Sequence, residues 1–431
     1  MTKKPKFKTP VGMHDILPED QKYFKKIYEV AESLVGFYGF KRIDTPILEE
    51  TELFSKGTGT STDIVQKQMF TLRTKGGDYL TLRPEFTPGT VRAYIEHGMK
   101  SWPQPVKLYS FGPLFRYEHP QAGRYRQFHQ FNVELFGEAS PVLDAQIIQI
   151  FYNILRELKF KDLIVEINSI GDSQCRPYYK KLLVSYFKSR ESSLCADCRR
   201  RLKENPLRIL DCKEEKCQRV VNQAPQTVDH LCEECKNHFK EVLEFLDEIE
   251  IPYHLNPHLV RGLDYYTKTV FEIFLTGQKE ASPRNALVGG GRYDALIKLL
   301  GGDETKAVGA SMGIERVISA LKEDERGQGG IEEVETCPVF LAQLGNLAKR
   351  KGLKLLEEFR KSKIPVAESF GRDSLKAQLR LADKVQAEYA LLLGQKEALE
   401  ESIIIRDMAS GRQETVKLEK IVKEIKKRLK E

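Results

Sequence analysis

This sequence predicts an α+β architecture: a mostly antiparallel sheet flanked by helices, a helical insertion within it, and a C-terminal α/β domain. Three observations carry that expectation. Strand-length runs succeed one another with few strand–helix–strand alternations, which is the habit of antiparallel sheets with helices packed around them. A charged, cysteine-containing helical stretch over residues 178–245 separates two strand-rich regions and reads as an insertion. Beyond Cys337 the pattern changes to strict strand–helix alternation, which marks a compact α/β domain over residues 337–431. Residues 1–325 would form the first domain, with the polar, Gly-rich residues 326–336 as a linker.

Taken in order, Phe24, Ile27, Tyr28, Ala31, Leu34 and Val35 recur at helical spacing over residues 20–37, with Asp15 or Asp20 as N-cap and Gly39 as the stop. The Gly/Thr/Ser-rich piece from Lys56 to Val65 reads as a mobile loop. Strands are expected at Gln68–Arg73, Tyr79–Arg83, Val106–Tyr117, Arg126–Phe136, Leu163–Ser169 and Val270–Leu275, with a helix from Gly89 to His97. In the last domain, helices over 346–362 and 374–387 alternate with apolar strand runs.

The 431 residues exceed one ordinary core, and no apolar run approaches the ~20 residues of a membrane helix. The basic start, MTKKPKFKTP, has no apolar segment behind it, so a cytoplasmic location is expected. A net charge of +7 permits an anionic partner such as nucleic acid without requiring one. Of eight cysteines, six fall between Cys195 and Cys235. The pairs Cys195–Cys198 and Cys232–Cys235 have the spacing of a structural zinc site, and free thiols are the alternative.

Five stretches carry chemistry. In Arg261–Glu272, RGLDYYTKTVFE, a guanidinium sits among phenols, a combination that suits a small ligand bearing a carboxylate or phosphate. Phe115–Phe136 reads as a hairpin. Arg116 and Glu118 share a face of its first strand, and Gln130, Asn132 and Glu134 share a face of the second. Such a row is costly to bury unless it binds something polar, and a merely solvated face would carry Lys and Thr. Leu82–Gly89 offers Glu85 and Thr87 at a strand end, where they could hold an ammonium group. Leu287–Leu296 has three consecutive glycines that allow close backbone approach, without the pattern of a P-loop or dinucleotide fold. A small-residue strand over 307–313 leads into a helix bearing Glu315 and Arg316, a natural phosphate clamp.

Together these stretches closely resemble the histidyl-tRNA synthetases, members of class II of the aminoacyl-tRNA synthetases. Pro46 matches the proline of the first class motif, Phe115–Glu118 the Phe-Arg-x-Glu motif, and Gly313–Arg316 the Gly-x-Glu-Arg motif. RGLDYY and GGGRYD look specific to the histidine enzyme. The resemblance implies an ATP-dependent ligase that activates L-histidine and transfers it to the 3′ end of tRNA(His), with magnesium accompanying ATP, and acting as a homodimer. It implies Arg261 as the catalytic cation, with Arg116 on the α-phosphate and the substrate carboxylate. Arg316 would hold the γ-phosphate and Glu118 would lie near adenine. Glu85 and Thr87 would take the α-amino group, and Gln130, Glu134, Tyr265 and Tyr266 the imidazole. Phe86, where many relatives are expected to carry glycine, falls at the same pocket and bears on its shape. The loop from Gln121 through Arg124 to Arg126 would meet the tRNA acceptor end, and the last domain would bind the anticodon. The rival readings are a catalytically silent regulatory subunit of ATP phosphoribosyltransferase and a sensor of uncharged tRNA. The three arginines together with the last domain count against the first, and a length of 431 residues leaves no room for the kinase expected beside the second.

Overall fold

In a computed structural model, the described residues are 6–60, 62–120, 123–276, 286–328, 337–371 and 373–429. Gln121 and residues 329–336 of the expected linker lie outside them. The chain divides into two compact units, residues 1–330 and 331–431.

A proline starts the first helix, which runs Pro18–Phe37. Neither Asp15 nor Asp20 caps it: Leu17 is the extended N-cap residue and contributes no side-chain bond. Pro18 occupies a position whose N–H would have no helical partner anyway, and Glu19 and Asp20 face the positive end of the helix dipole. The helix buries Ile27, Ala31 and Val35 completely.

The first unit has strands β1 (Lys41–Arg42), β2 (Leu48–Glu50), β3 (Phe70–Arg73), β4 (Tyr79–Leu82), β5 (Val106–Phe115) and β6 (Gln127–Phe136). It continues with β7 (Leu163–Ser169), β8 (Tyr253–Leu255), β9 (Thr267–Leu275), β10 (Val288–Arg292) and β11 (Ala307–Gly313). Eight of them form one sheet in the order β1-β5-β6-β11-β10-β9-β7-β8, while β2, β4 and β3 form a small second sheet. The large sheet is antiparallel through its centre, and only the edge pairs β1–β5 and β7–β8 are parallel. Alternation along β6 sorts its side chains. Phe131, Val133 and Leu135 are fully buried in the core, and Gln130, Asn132 and Glu134 point to the other face. Helix Val142–Glu157 packs against strands β9, β10 and β11 with Ile147, Phe151 and Ile154 fully buried.

The Lys56–Val65 segment does not form the expected mobile loop. A helix covers Thr51–Thr58 and a π-helical turn covers Ile64–Gln68, and Thr58 and Thr62 are fully buried. Gly57 packs on Pro88, and the Thr58 hydroxyl donates to the buried Glu85 at 2.6 Å. A bonded hydroxyl can be buried where an unpaired one cannot.

Between β7 and β8 the described structure is entirely helical, from helix Arg176–Lys188 to helix Glu233–Glu248. This region is joined to the sheet by a buried ion pair that the sequence pattern does not show. Arg292, at the end of β10, is fully buried against Asp144, with Nε donating to Oδ2 at 3.0 Å. Its remaining donors reach the carbonyls of Glu138 at 3.1 Å and Ser140 at 3.2 Å, and His238 of the last insertion helix lies 3.3 Å from Asp144. Burial works to raise the Asp144 pKa, but the Arg292 charge and His238 outweigh it and hold the carboxyl at about 2. GGGRYD therefore places its arginine in the frame of the protein, away from any ligand.

The second unit carries β12 (Val339–Gln343), β13 (Val366–Glu368), β14 (Tyr389–Leu393), β15 (Ser402–Asp407) and β16 (Gln413–Lys417), in the order β13-β12-β14-β15-β16. Helices Asn346–Lys361 and Leu375–Lys384 connect its parallel strands. The buried Gln378 side chain bonds both the N–H and the carbonyl of Gln343, at 3.0 and 2.8 Å, and so fastens its helix to the sheet.

Removing one partner of a buried ion pair strands the other charge in a dry site. Asp144→Asn is expected to lower the stability of the first unit by about 3–5 kcal/mol. Urea unfolding followed by the fluorescence of Trp102, the only tryptophan, measures this unit alone. A loss below about 1 kcal/mol, the scale of an exposed pair, would contradict the assignment.

Candidate active site

The polar face of β6 has small neighbours on both sides. Gly112 and Ser110 of β5, and Gly313, Ser311 and Gly309 of β11, stand opposite Gln130, Asn132 and Glu134. Gly112 and Gly309 leave room for the Arg83 and Glu134 side chains, while Ser311 and Gly313 help line a cavity of about 390 Å³. Arg116, Arg124, Arg261 and Arg316 line it, together with Glu85, Glu118, Gln130, Tyr265 and Tyr266. Residues far apart in the chain thus converge as expected. Gln121 lies outside the described residues, and Arg124 of the loop expected to meet the tRNA lies 3.6 Å from Glu118.

Arg261 is held across the sheet. It pairs with Glu272 of β9, and Gly289 of β10 stands beside Glu272 in register. A Cβ on Gly289 would sit 2.7 Å from the Arg261 guanidinium carbon. The glycine is thus the gap through which the arginine passes. Tyr266 lies beneath, its ring centroid 5.7 Å from the guanidinium. Arg116 donates from Nε to the Pro84 carbonyl at 2.9 Å and lies 5.2 Å from the centre of the Phe128 ring. It follows the end of β5, so Arg116 and Glu118 occupy an irregular segment and not the strand expected there. Arg316 donates to the carbonyls of Ala286 at 2.8 Å and Gly123 at 3.4 Å. Burial, followed by the nearby Arg124 and Arg116, pushes its pKa down, and the Glu272 and Glu118 carboxylates offset this only in part. Glu315 receives the His129 backbone N–H at 2.9 Å and lies 2.8 Å from its ring, which ties the Arg316 helix to β6.

Glu85, which also lines the cavity, is buried and accepts from Thr58 and, at 2.8 Å, from the Tyr265 hydroxyl. Burial raises its pKa, against the hydrogen bonds and the nearby Arg116 and Arg261. Its hydrogen-bond partners are hydroxyls, and a carboxylate has lone pairs to spare for an ammonium group.

Three residues assigned to the pocket lie behind its wall. Phe86 is 2% exposed and does not line the cavity, because its ring sits under Arg83, 4.6 Å from the guanidinium. Thr87 and Glu134 are buried one layer down and bonded to each other at 2.5 Å. Glu134 also accepts from Asn132 at 3.0 Å and from Tyr293, and Gly309 opposite it leaves room, since a Cβ there would lie 2.8 Å from the Glu134 carboxyl carbon. The zinc set is likewise redrawn. Cys195 and Cys198 gather with Cys212 and Cys217, while Cys232 and Cys235 gather with Asp172 and Cys175. Helix packing, and not the pairing of the two spaced motifs, decides which sulfurs meet.

The model of the histidyl-tRNA synthetase family matches residues 12–317, and that of an anticodon binding domain matches residues 339–428. The chain belongs to the histidyl-tRNA synthetase family. Relatives named histidine–tRNA ligase, from Dehalococcoides mccartyi and Desulfitobacterium hafniense, are 43% and 44% identical. Each alignment covers 98% of this chain, and 100% and 98% of the respective relatives. A crystal structure described as apo S. aureus histidyl-tRNA synthetase superposes with a TM-score of 0.80 at 36% identity, over 97% of this chain and 99% of that one. A Bacillus halodurans structure, described as an ATP phosphoribosyltransferase regulatory subunit/histidyl-tRNA synthetase, has a TM-score of 0.62 at 21% identity and shares the fold.

Several cavity residues carry no signal in the sequence of this synthetase-family chain. Glu272 reads as one acid on a strand. Arg208, Asp211 and Lys213 line the cavity from the insertion, and Arg208 and Arg201 both reach Asp63, at 2.9 and 3.2 Å. Only the three-dimensional pairing brings that segment to the sheet.

Burial raises the Glu134 pKa to about 7, against hydrogen bonds from Thr87, Tyr293 and Asn132. A raised folded-state pKa means that Glu134's contribution is complete below the ordinary carboxylate range and is lost as pH rises through about 7. Glu134→Gln should therefore gain stability relative to the parent between pH 5 and pH 8, by on the order of 3 kcal/mol in Trp102-monitored urea unfolding. An unchanged difference between the two proteins at both pH values would rule out the buried, titrating carboxyl.

Proposed function

We propose that this chain joins L-histidine to ATP as histidyl-adenylate and transfers the histidyl group to the 3′ end of tRNA(His). The observation that carries the reading is the convergence of Arg116, Arg261 and Arg316 on one cavity that the buried Glu85–Tyr265 pair also lines. Two anions must meet in the first step, the amino-acid carboxylate and the α-phosphate, so fixed positive charge is the main requirement. Arg261 and Arg116 supply it as permanently charged donors, each contributing ~3 kcal/mol as charge develops. Arg316 takes the γ-phosphate and Glu118 lies toward the adenine. A magnesium ion arriving with ATP would add positive charge on the pyrophosphate side, and Asp211 offers a hard oxygen donor for it.

Glu85 receives the substrate ammonium, which relieves the cost of its own burial. Gln130, Tyr265 and Tyr266 line the imidazole end, and a site built to hydrogen-bond both ring nitrogens rejects an apolar isostere by leaving its own groups unpaired. Thr87 and Glu134 act from the layer beneath by fixing Asn132 and Tyr293. Arg124 and its loop face the acceptor end of the tRNA, and residues 337–431 bind the anticodon. A homodimer fits the exposed Leu48 and Leu72, which share one face of the small sheet next to Pro46. No helix among the described residues is long and apolar enough to cross a membrane. A cytoplasmic location fits the activity.

ATP–pyrophosphate exchange with each amino acid in turn tests this reading. Exchange is expected with histidine alone and should fall at least ~100-fold in Arg261→Ala, the scale of one lost electrostatic donor. Histidine binding without exchange in the parent protein would instead support the regulatory-subunit reading.

A further inference from the structure

The insertion does not close a core by itself: its buried residues, such as Leu183, Phe187, Leu202 and Ile209, share one cluster with sheet residues such as Phe136 and Val270. Regions of this size usually need a staple. Two groups of side chains stand where staples belong, and neither takes part in the chemistry proposed above.

In the first group the sulfurs of Cys195, Cys198, Cys212 and Cys217 all lie within 4.8 Å of one another. Four thiolates around one ion at ~2.3 Å form a tetrahedron with edges of ~3.8 Å. The Cys195 and Cys212 sulfurs are 3.9 Å apart, whereas a disulfide would need ~2.05 Å. Backbone amides already point at these sulfurs. The Cys198 N–H donates to the Cys195 sulfur at 3.4 Å, and the Cys195 N–H donates to the Cys217 sulfur at 3.1 Å. Amide donors of this kind stabilise metal-bound thiolates, and a single ion would account for all four sulfurs.

The second group is independent of the first. One oxygen of Asp172 and the sulfurs of Cys175, Cys232 and Cys235 also lie within 4.8 Å of one another. Cys175 and Cys235 are 3.8 Å apart across 60 residues of chain, and the Asp172 N–H donates to the Cys175 sulfur at 3.3 Å. This group ties the entry of the insertion to the start of its last helix.

We propose that each group binds one structural zinc ion, with Cys195, Cys198, Cys212 and Cys217 as one ligand set and Asp172, Cys175, Cys232 and Cys235 as the other. Soft thiolates in a closed tetrahedron select zinc over magnesium or calcium. An iron–sulfur cluster would hold its cysteines further apart than 4.8 Å. The first ion also has a consequence for the cavity. Cys212 stands between Asp211 and Lys213, both of which line it, so the metal would hold that segment against the sheet.

The test is metal analysis of the full chain purified without chelator. About two zinc ions per chain are expected, released by a thiol-directed mercurial and read with a chromogenic chelator, so that no variant has to fold for the proposal to be judged. Cobalt substitution should give the intense visible bands of tetrahedral thiolate coordination. Cys217→Ser and Cys235→Ser should each lower the zinc content from two to one, and the double variant to none. In the parent, stripping the metal should lower the thermal midpoint reversibly. No metal with all cysteines titrating as free thiols, or disulfides in their place, overturns both sites. Loss of zinc in only one single variant overturns the site whose variant keeps it, and iron in place of zinc overturns the choice of ion.

Discussion

Arg261 reaches Glu272 only because Gly289 leaves a gap between them, and much of the first unit is arranged around that crossing. A guanidinium cannot be carried over a sheet centre if the intervening strand bears side chains. Its charge, once there, needs a partner until a ligand anion arrives, and Glu272 provides it. The same logic repeats one layer away, where Gly309 makes room for the Glu134 carboxyl. Glycine at these central positions weakens strand propensity, and burial of β10 and β11 on both sides offsets that weakness.

The site is built in two tiers. The upper tier is charged and lines the cavity: three arginines together with Glu85 and Tyr265. The lower tier is closed and fully bonded, with Thr87, Asn132, Tyr293 and Ser311 tied directly or through one another to Glu134. Rigid support beneath a charged surface is what transition-state electrostatics requires, because donors that need not reorganise are worth most. The buried Arg292–Asp144 pair continues that rigidity into the helix behind the sheet and, through His238, into the insertion.

Much of this was legible in the sequence where local pattern decides the outcome. Leu163–Ser169 forms the strand its alternation predicts, and β5 and β6 form the expected hairpin. Arg116, Arg261 and Arg316 were recognisable by their neighbours, and they do meet. What stayed hidden depends on long-range pairing. Phe86 looked like a pocket residue because it sits between Glu85 and Thr87, yet the turn sends it under Arg83. Thr58 looked mobile because its neighbours are Gly and Thr, and a single buried acceptor reverses that. The cysteines were grouped by their spacing, but helix packing regroups them. Arg208, Asp211 and Lys213 reach the cavity from an insertion whose docking no periodicity encodes.

The central claim is that the position of Arg261 over Gly289, and not merely its charge, makes the cavity a site of adenylate formation. Gly289→Ala tests it most directly, because the added methyl group displaces the guanidinium and removes no ionisable group. The account expects kcat for histidine-dependent pyrophosphate exchange to fall by at least ~10-fold, since small misplacements of catalytic groups are costly. Trp102-monitored unfolding should show the variant still folded. A folded variant that exchanges as fast as its parent would contradict the account.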